Sequence, residues 1–440
     1  MVVKDKAFKL LILFSLFLPF EIACLANGWM WHNEFPWIYS HSSQSWFYIK
    51  AGPNEELYRW DQSSSSWSKF EQDSNQWKSI ESIPNEEPIW LEWESNPSAF
   101  GGIYTLAKIK AAFLSSTDTL DLSYSKILSL APMAKLTNLR ELNIEGNQVA
   151  DLSPLVTLEN LEQLNASSNL IQNISPLDQI PTLTHITLND NEIDDTIQTA
   201  FQQIGTLKNL KELNLARNNL NSVEGSSSFT QLEKLDLNGN SITNADPLGS
   251  LDSLKVLDLG NNQITPLPPF STASELMVLY MEDNNVSELQ SLTNCVDLKE
   301  INFANNNIND LSPFNQIDFS FIWFADFSKN SLTSLDGIQN LTNLRILSIS
   351  DNEVEDLSLL KPLGELRSLF MDNNKVVSLS PLGYNKNLLG LYATNNLIID
   401  PYGLIGLDKL VEVLLWENNI DSEAKRILKL ARPQTSFSFE

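Results

Sequence analysis

Hydrophobic and polar positions repeat along most of the chain at a fixed spacing. Thirteen asparagines, from Asn147 to Asn418, follow one another at 22-residue intervals, with two longer intervals of 27 and 24 residues. Each closes the frame L-x-x-L-x-L-x-x-N, as in residues 139–147, and Ser125 takes the same place one period upstream. A fixed period in the 20s predicts a solenoid, in which each coil stacks on the one before it.

The alternation inside the frame predicts a short strand. In the second coil Leu142 and Ile144 point into the stack, while Glu141, Asn143 and Glu145 point outward. The chain turns sharply after the strand, so backbone groups inside the turn need partners, which an asparagine amide supplies. We therefore expect a ladder of buried asparagines along the array.

A short link between coils points to a family. The sequence Asp-Leu-Ser-Pro-Leu at residues 151–155 has relatives at residues 173–177, 310–314 and 377–382. With the frame above, it makes residues 117–420 resemble the leucine-rich-repeat domain of the short-period bacterial class typified by internalins. The resemblance implies an α/β solenoid, a curved horseshoe of about 14 repeats. Parallel strands would line its concave face, and mostly 3₁₀ or irregular turns its convex face.

The two longer intervals predict exceptions on the convex side. Residues 194–204 place apolar side chains at helical spacing around Phe201, which suits a short α-helix. Residues 318–327 are rich in aromatic side chains, and Ala325 replaces the usual leucine. These aromatics are either packing compensation or part of a site.

Residues 1–26 read as a signal peptide. Three lysines precede the apolar run 10–20, which is too short to span a bilayer of roughly 30 Å. We expect cleavage after Ala26 and an exported protein, secreted or held at the cell surface. The alternative is a lipoprotein signal in which Cys24 is lipidated, and only this alternative gives the protein a membrane partner.

The cysteine count bears on the source of the chain. If Cys24 leaves with the signal, Cys295 is the only cysteine of the mature protein, and no intramolecular disulfide can form. Extracellular leucine-rich-repeat proteins of animals usually carry cysteine-rich caps. Their absence favours a bacterial origin.

Residues 27–79 form a separate tryptophan-rich module, since nine of the 11 tryptophans precede residue 100. Within it, an aromatic residue is followed seven residues later by tryptophan in three pairs. The polar residues between them suit a turn and the aromatics suit cross-strand partners, so we expect a small β module of short hairpins. The pairs are Tyr39 and Trp46, Trp60 and Trp67, and Phe70 and Trp77.

This module supports an alternative function. It distantly resembles the aromatic hairpin units of choline-type cell-wall-binding repeats, although it lacks their regular glycines. The chain would then be a glycan- or cell-wall-binding surface protein, with tryptophans stacking on sugar rings and the repeats acting as a spacer. Tryptophan is also how a module this small obtains a core.

The remaining segments flank the array. Residues 80–98 are acidic and proline-containing, which predicts a linker. Apolar spacing over residues 99–116 predicts a helix or first coil that caps the array. Residues 421–440 begin with the helix-capping Asp421 and carry an apolar stripe that ends before Pro433, which predicts a C-terminal helical cap and tail.

No motif for catalysis or for a cofactor emerges. The three histidines, His32, His41 and His185, are isolated from cysteine or glutamate at metal-ligand spacing. We find no glycine-rich phosphate loop, Gly-x-Ser-x-Gly elbow or Cys/His pairing. The net charge of −26, from 55 acidic and 29 basic residues, argues against nucleic acid as a partner. We expect no enzyme activity and no cofactor.

The outward strand positions are mostly acidic. They hold eleven acids against one base, Lys234, which is either an ordinary solvated strand face or a surface for a cationic partner. The acids are Asp121, Glu141, Glu145, Glu212, Asp236, Asp258, Glu282, Glu300, Asp326, Asp372 and Glu412.

Outward apolar residues occur only in the later half of the array, where we place the candidate partner-binding site. Exposed apolar patches mark interaction sites, and tyrosine and tryptophan anchor them, although mutual stacking would also explain these residues. The sequence thus predicts a non-catalytic scaffold that binds protein through its concave face. The candidates are Val256, Val278, Tyr280, Phe324, Ile346, Phe370, Tyr392 and Trp416.

Overall fold

A computed structural model describes seven backbone strands between residues 23 and 80, and residues 88–196, 198–270 and 275–439. The chain divides into two compact units, residues 1–115 with 126–132, and residues 116–125 with 133–440. The predicted signal peptide lies outside the described residues, except that Ala23–Leu25 forms the first strand.

The first unit contains an antiparallel sheet in which strands β1 to β7 pair in chain order. Its register sets Tyr39 opposite Trp46, Trp60 opposite Trp67 and Phe70 opposite Trp77, as the seven-residue spacing predicts. The strands are β1 Ala23–Leu25, β2 Trp29–Trp31, β3 Trp37–Ser40, β4 Ser45–Ala51, β5 Leu57–Asp61, β6 Ser66–Glu71 and β7 Gln76–Ile80.

Two helices follow this sheet in the same unit, α1 at Pro88–Ser95 and α2 at Ile103–Ser115. Helix α1 lies where the sequence predicts only a linker. It is anchored by Trp90, which is 2% exposed and meets the ring of Phe113 on α2 at 5.6 Å. Trp93, one helical turn later, meets the Trp90 ring edge-on at 5.0 Å, but the three prolines and the acidic residues of this segment obscure that spacing in the sequence.

The second unit is the predicted solenoid, and its parallel strands pair with their sequence neighbours from β8 to β22. The three-residue strands are β8 Thr119–Asp121, β9 Glu141–Asn143, β10 Gln163–Asn165, β11 His185–Thr187, β12 Glu212–Asn214, β13 Lys234–Asp236, β14 Val256–Asp258, β15 Val278–Tyr280, β16 Glu300–Asn302, β17 Phe324–Asp326, β18 Ile346–Ser348, β19 Ser368–Phe370, β20 Gly390–Tyr392, β21 Glu412–Leu414 and β22 Ser436–Ser438.

The asparagine ladder has the predicted bonds. The Asn262 amide donates to the carbonyls of Leu237, Leu259 and Gly260, each at 3.0 Å. Its oxygen accepts from the backbone N–H of Ile242 in the preceding coil. All thirteen asparagines reach back in this way to a carbonyl 25 to 30 residues earlier, which ties each coil to its neighbour.

Short 3₁₀ turns occupy the convex side, many of them beginning at the Ser-Pro link, where proline suits the first turn. They span Ala131–Lys135, Ser153–Thr157, Ser175–Gln179, Ser226–Ser228, Asp246–Ser250, Gln290–Asn294, Ser312–Asn315, Ile338–Asn340, Ser358–Leu360, Ser380–Tyr384 and Tyr402–Gly406, and a further 3₁₀ turn at Pro97–Ala99 belongs to the first unit.

In the structure, both long intervals contain buried aromatic side chains that pack against other aromatic rings. The first holds helix α3, Ala200–Gln203, whose buried Phe201 meets Phe229 at 5.8 Å. In the second, Phe319 is buried and meets Phe314 edge-on at 5.0 Å, and the small Ala325 is buried in the same coil. The packing alternative therefore accounts for these buried rings.

The C-terminal helix, α4 at Ser422–Ala431, begins as predicted, with the Asp421 carboxylate accepting from the Ala424 N–H at 2.7 Å. The following residues differ from the predicted tail, because Ser436–Ser438 form the fifteenth strand, β22. The Leu415 N–H donates to the Ser438 carbonyl at 2.8 Å. This strand lacks the asparagine frame, so the repeat pattern gives no sign of it.

Candidate binding face

Each solenoid strand presents three outward side chains. We name their positions the first, central and third rows, which lie six, four and two residues before the ladder asparagine. In the second coil they are Glu141, Asn143 and Glu145. Because neighbouring strands pair in register, residues of one row stand about 4.8 Å apart along the sheet.

The central row has a structural task in most coils. The side-chain oxygen of Asn214 accepts from the N–H of Ala216 at 2.9 Å, which closes the turn after the strand. The same bond, from a central asparagine or aspartate to the N–H two residues later, recurs at Asp121, Asn143, Asn165, Asp236, Asp258, Asn302 and Asp326.

Most of the outward acids are also engaged within the face. Ten of the eleven accept a hydrogen bond from a backbone N–H or a side chain of the second unit, so the charge imbalance serves the face's own structure. They are Asp121, Glu145, Glu212, Asp236, Asp258, Glu282, Glu300, Asp326, Asp372 and Glu412. A cationic partner for this face stays a prediction.

Crowding of carboxylates perturbs the middle of the face. Burial raises the pKa of Asp236 above its ordinary value, and the nearby Asp258 adds to the rise. Burial likewise raises the pKa of Glu282. The Asn238 amide relieves part of this repulsion by donating to Asp258 at 3.1 Å and to Glu282 at 3.4 Å.

The predicted apolar residues separate into two groups. Val256 lies opposite Val278 on β14 and β15, and Tyr280 shares the second of these strands. The Tyr280 hydroxyl donates to Glu300 at 2.9 Å, and burial, followed by this bond, raises its pKa to about 12. Three strands separate Tyr280 from Phe370, so the structure does not bring the central-row aromatics into one cluster.

The second group lies on five adjacent strands, β17 to β21, and we call it the C-terminal patch. Phe324 lies opposite Ile346, and Phe370 lies opposite Tyr392. Leu414 lies opposite Tyr392 on the next strand and extends the patch. Leu414 is absent from the candidates that the sequence predicts, although it lies four residues before Asn418 and so belongs to the central row. The patch thus consists of Phe324, Ile346, Phe370, Tyr392 and Leu414.

Phe370 and Tyr392 form the centre of the C-terminal patch. Their rings stack with centroids 4.5 Å apart and planes within 7°. A Cβ atom at Gly390 would come within 3.2 Å of the Tyr392 ring, so the glycine makes room for this ring. The Tyr392 hydroxyl donates to Glu412 at 2.7 Å. The pair is therefore held in place before any partner binds.

In the coils of Phe370 and Tyr392, the turn after the strand is closed by a residue outside the central row. Phe370 and Tyr392 have no side-chain oxygen that could close their own turns. Instead, Ser350 of the preceding coil accepts from the Asp372 N–H at 3.1 Å, and Asp372 accepts from the Thr394 N–H at 2.6 Å. The third row thus performs the task of the central row, and the central row presents aromatic rings.

Trp416 lies at the end of the array and is 44% exposed. Its indole N–H donates to the Ser438 hydroxyl on β22. This candidate residue therefore helps to attach the fifteenth strand, and it adjoins the C-terminal patch through Leu414 on its own coil.

In the described ranges, no group of three or more histidine, cysteine, aspartate or glutamate side chains is arranged to hold a metal ion. None of the helices described here is both long enough and apolar enough to cross a bilayer.

Family profiles match three stretches of the array. The profile described as "Leucine Rich repeats (2 copies)" matches residues 230–272, and two profiles described as "Leucine rich repeat" match residues 181–242 and 135–152. No curated protein sequence matches the chain.

Solved structures share the architecture. An internalin (InlF) from Listeria monocytogenes is 27% identical with a TM-score of 0.65, and the alignment covers 70% of this chain and 93% of that one. A leucine-rich-repeat protein from Leptospira interrogans is 24% identical with a TM-score of 0.62, covering 75% and 98%. The ectodomain of an Arabidopsis thaliana receptor kinase, solved in complex with Casparian strip integrity factor 2, is 21% identical with a TM-score of 0.59, covering 73% and 41%.

Proposed function

This chain is an internalin-like leucine-rich-repeat protein, and from that premise we propose that it is an exported, non-catalytic scaffold that binds another protein through the C-terminal half of its concave face. Leucine-rich-repeat proteins commonly act as protein-binding scaffolds. The plant receptor ectodomain of the same fold was solved with a partner bound. The fold therefore suits this function, and the binding site must be argued from the face itself.

The main support for this proposal is that third-row residues, rather than central-row residues, close the turns after Phe370 and Tyr392. An asparagine at residue 370 would close its own turn, as Asn143 and Asn214 do, yet this coil uses Ser350 instead and leaves Phe370 outward. Packing inside the coil does not require this exchange, because Leu369 and Met371 already fill the core at 0% exposure. A prearranged aromatic pair on a soluble surface is the usual anchor of a protein interface.

A paired set of variants tests the site. The full chain serves as bait, and captured proteins are identified by mass spectrometry. We expect Phe370→Ser with Tyr392→Ser to lose a partner that the parent retains. The matched control is Asn143→Ser with Asn165→Ser, at the same row on adjacent strands of the first half, and it should retain that partner. Loss in the control alone, or in neither variant, would place the interface elsewhere.

Export rests on the lysines and the apolar run at the N-terminus. We expect the protein to be recovered outside the cells with Asn27 as its first residue, which intact-mass spectrometry would show. Cleavage there removes β1 and leaves a sheet that begins at Trp29–Trp31. A lipid-modified Cys24 at the N-terminus would instead establish the lipoprotein alternative, and an intact N-terminal segment would contradict export.

A further inference from the structure

A fourth row of side chains borders the concave face one residue before the first row, and we call it the rim row. The backbone ladder continues through it, since the Arg345 N–H donates to the Trp323 carbonyl and the Arg367 N–H to the Arg345 carbonyl, both at 2.8 Å. Rim side chains of adjacent coils are therefore neighbours. The row contains Asp118, Arg140, Glu162, Thr184, Lys211, Glu233, Lys255, Met277, Lys299, Trp323, Arg345, Arg367, Leu389 and Val411.

In the first half of the array, acids alternate with the rim cations. Arg140 forms an ion pair with Glu162 of the next coil. Glu233 lies between Lys211 and Lys255, and its carboxylate meets the Lys255 ammonium at 2.8 Å. The pKa of Glu233 is lowered, first by this hydrogen bond and then by the charges of Lys255, Lys211 and Lys234. Two of the three rim cations of this half are thus ion-paired with rim acids, and the third, Lys211, acts on Glu233 through its charge.

In the second half, the acids are missing from the rim row. From Lys299 onward its cations are Lys299, Arg345 and Arg367, and Trp323 takes the place between the first two that Glu233 occupies in the earlier triplet. Both arginines are exposed, and in the described part of the chain neither guanidinium lies within ion-pair distance of a carboxylate. This run of rim cations belongs to a protein with a net charge of −26.

The unpaired rim cations adjoin the C-terminal patch. Arg345 directly precedes Ile346 of the patch, and Trp323 directly precedes Phe324, whose ring it meets at 6.1 Å. The backbones of Arg345 and Arg367 lie on neighbouring coils roughly 5 Å apart, so their guanidinium charges repel one another, and an anion bound between them would relieve that repulsion. A carboxylate suits this place, because guanidinium groups bind its two oxygens in a fixed geometry.

We propose that Arg345 and Arg367 together with the C-terminal patch form one site for an extended peptide segment of the partner, which carries a carboxylate side chain beside apolar ones. This inference rests on the proposed function, since it describes the partner of that same face. The segment crosses the strands from β17 to β21, a distance of about 19 Å, which corresponds to roughly six extended residues.

The face favours a peptide over a glycan. Sugar rings stack on open aromatic faces, and the facing sides of Phe370 and Tyr392 are closed against each other at 4.5 Å. The aliphatic Ile346 and Leu414 suit apolar side chains. The partner segment carries one or two carboxylates and is not strongly acidic overall, because the net charge of −26 repels a polyanion at long range.

The test uses a displayed library of random 12-residue peptides, selected on the full-length protein. Enriched sequences should combine aspartate or glutamate with apolar residues. A synthetic peptide of the enriched sequence should bind Arg345→Ala with Arg367→Ala about tenfold more weakly than the parent, by fluorescence anisotropy. The matched control, Arg140→Ala with Lys255→Ala, removes the same charge from the same row and should bind like the parent.

Replacing the peptide's acid by its amide should weaken binding to the parent about equally, and should have little further effect on the double arginine variant. Enriched peptides without acids would overturn the inference. So would peptides whose binding needs Phe370 and Tyr392 but not the arginines, and that outcome would leave the proposed function standing. Binding of the parent only to anionic oligosaccharides, tested in a parallel array, would overturn the peptide assignment.

Discussion

The two halves of the concave face differ in how their turns are closed and in how the charges of the rim row are paired. In the first half, central asparagines and aspartates close the turns and rim acids pair with rim cations, so the polar groups are largely satisfied within the protein. In the second half, Ser350 and Asp372 close the turns of the Phe370 and Tyr392 coils, although Asn302 and Asp326 still close their own, and the rim row contains no acid. The backbone and the ladder are the same in both, so the difference lies in what each half presents to a partner.

The comparison distinguishes polar side chains that are already bonded within the protein from those that are available to a partner. The outward acids are spread over both halves, so their number does not locate a binding surface, and in the first half Glu145 and Glu212 stand outward. Their carboxylates are engaged by Asn165 and Lys234, respectively. A partner that bound there would have to replace these bonds, whereas one that bound the second half would add bonds to unpaired arginines and bury apolar rings.

The largest expected effect concerns the ladder, which both halves share. Asn262→Leu and Asn374→Leu should each leave one buried backbone N–H without its partner, at roughly 1 to 3 kcal/mol, and remove one of two donors from each of three carbonyls. Urea unfolding should show similar losses for the two variants. Ser125→Ala, which removes a single bond to the Ser123 carbonyl, is the mild control. If Asn262→Leu were as mild as Ser125→Ala, the register that defines every row would be wrong.

A second prediction concerns a variant in which the rim row of the second half acquires the charge pattern of the first half. Trp323→Glu places an acid between Lys299 and Arg345, as Glu233 lies between Lys211 and Lys255. We expect the affinity for the partner to fall about tenfold, because the new carboxylate competes for Arg345. The thermal midpoint should stay the same or rise slightly. Trp323→Gln, which carries no charge, should retain more affinity, and equal losses would show that the indole rather than the charge pattern matters.

A third prediction tests the exchange of turn-closing bonds. Ser350→Ala should cost about 1 kcal/mol, since the Asp372 N–H loses its acceptor, as should Asn214→Ala in the first half. Adding Phe370→Asn to Ser350→Ala should recover most of that stability, because the introduced amide closes its own turn. Partner binding should be lost in the same double variant. If urea unfolding showed no recovery of stability, turn closure by a central-row asparagine and turn closure by Ser350 would not be equivalent.

The smallest expected effect is a pH dependence in the middle of the face. The pKa of Asp236 is raised in the folded state, so its charged form destabilises the fold, and this loss grows as pH rises through the raised pKa. Asp236→Asn keeps the oxygen that closes the turn and removes the charge. Its thermal midpoint should exceed the parent's at pH 7, and the gap should close below pH 3.8, the ordinary value for aspartate. A gap that persisted there would exclude charge as its cause.

Much of this architecture was predictable because the repeat imposes one constraint thirteen times. The 22-residue frame fixes strand positions, the ladder and the rows of the face. It could not show α1, which depends on the single buried Trp90, or β22, which lies outside the frame. The frame also could not show which polar side chains were already engaged, since the bond from Ser350 to the Asp372 N–H joins residues 22 apart.

The outward positions of the candidate residues were predictable for the same reason, whereas their role in binding stays a prediction. Row membership places Phe324, Ile346, Phe370 and Tyr392 on the outward face, and the structure sets them on adjacent strands with Leu414. Row membership also groups Tyr280 with them, although three strands intervene. The unpaired rim arginines were missed because a charge is informative only once its possible partners have been located. The sugar-binding prediction for the tryptophan-rich module concerns side chains outside those described.

Oxidative footprinting of the full-length protein with its captured partner tests the central claim most directly, because hydroxyl radicals label the aromatic side chains in question. Partner binding should protect Trp323, Phe370 and Tyr392. It should leave unchanged the labelling of Tyr124 at the start of the array and of Tyr402 on the convex side, which are 69% and 44% exposed. Protection of Tyr124 or Tyr402, with the C-terminal patch labelled as in the free protein, would contradict the account.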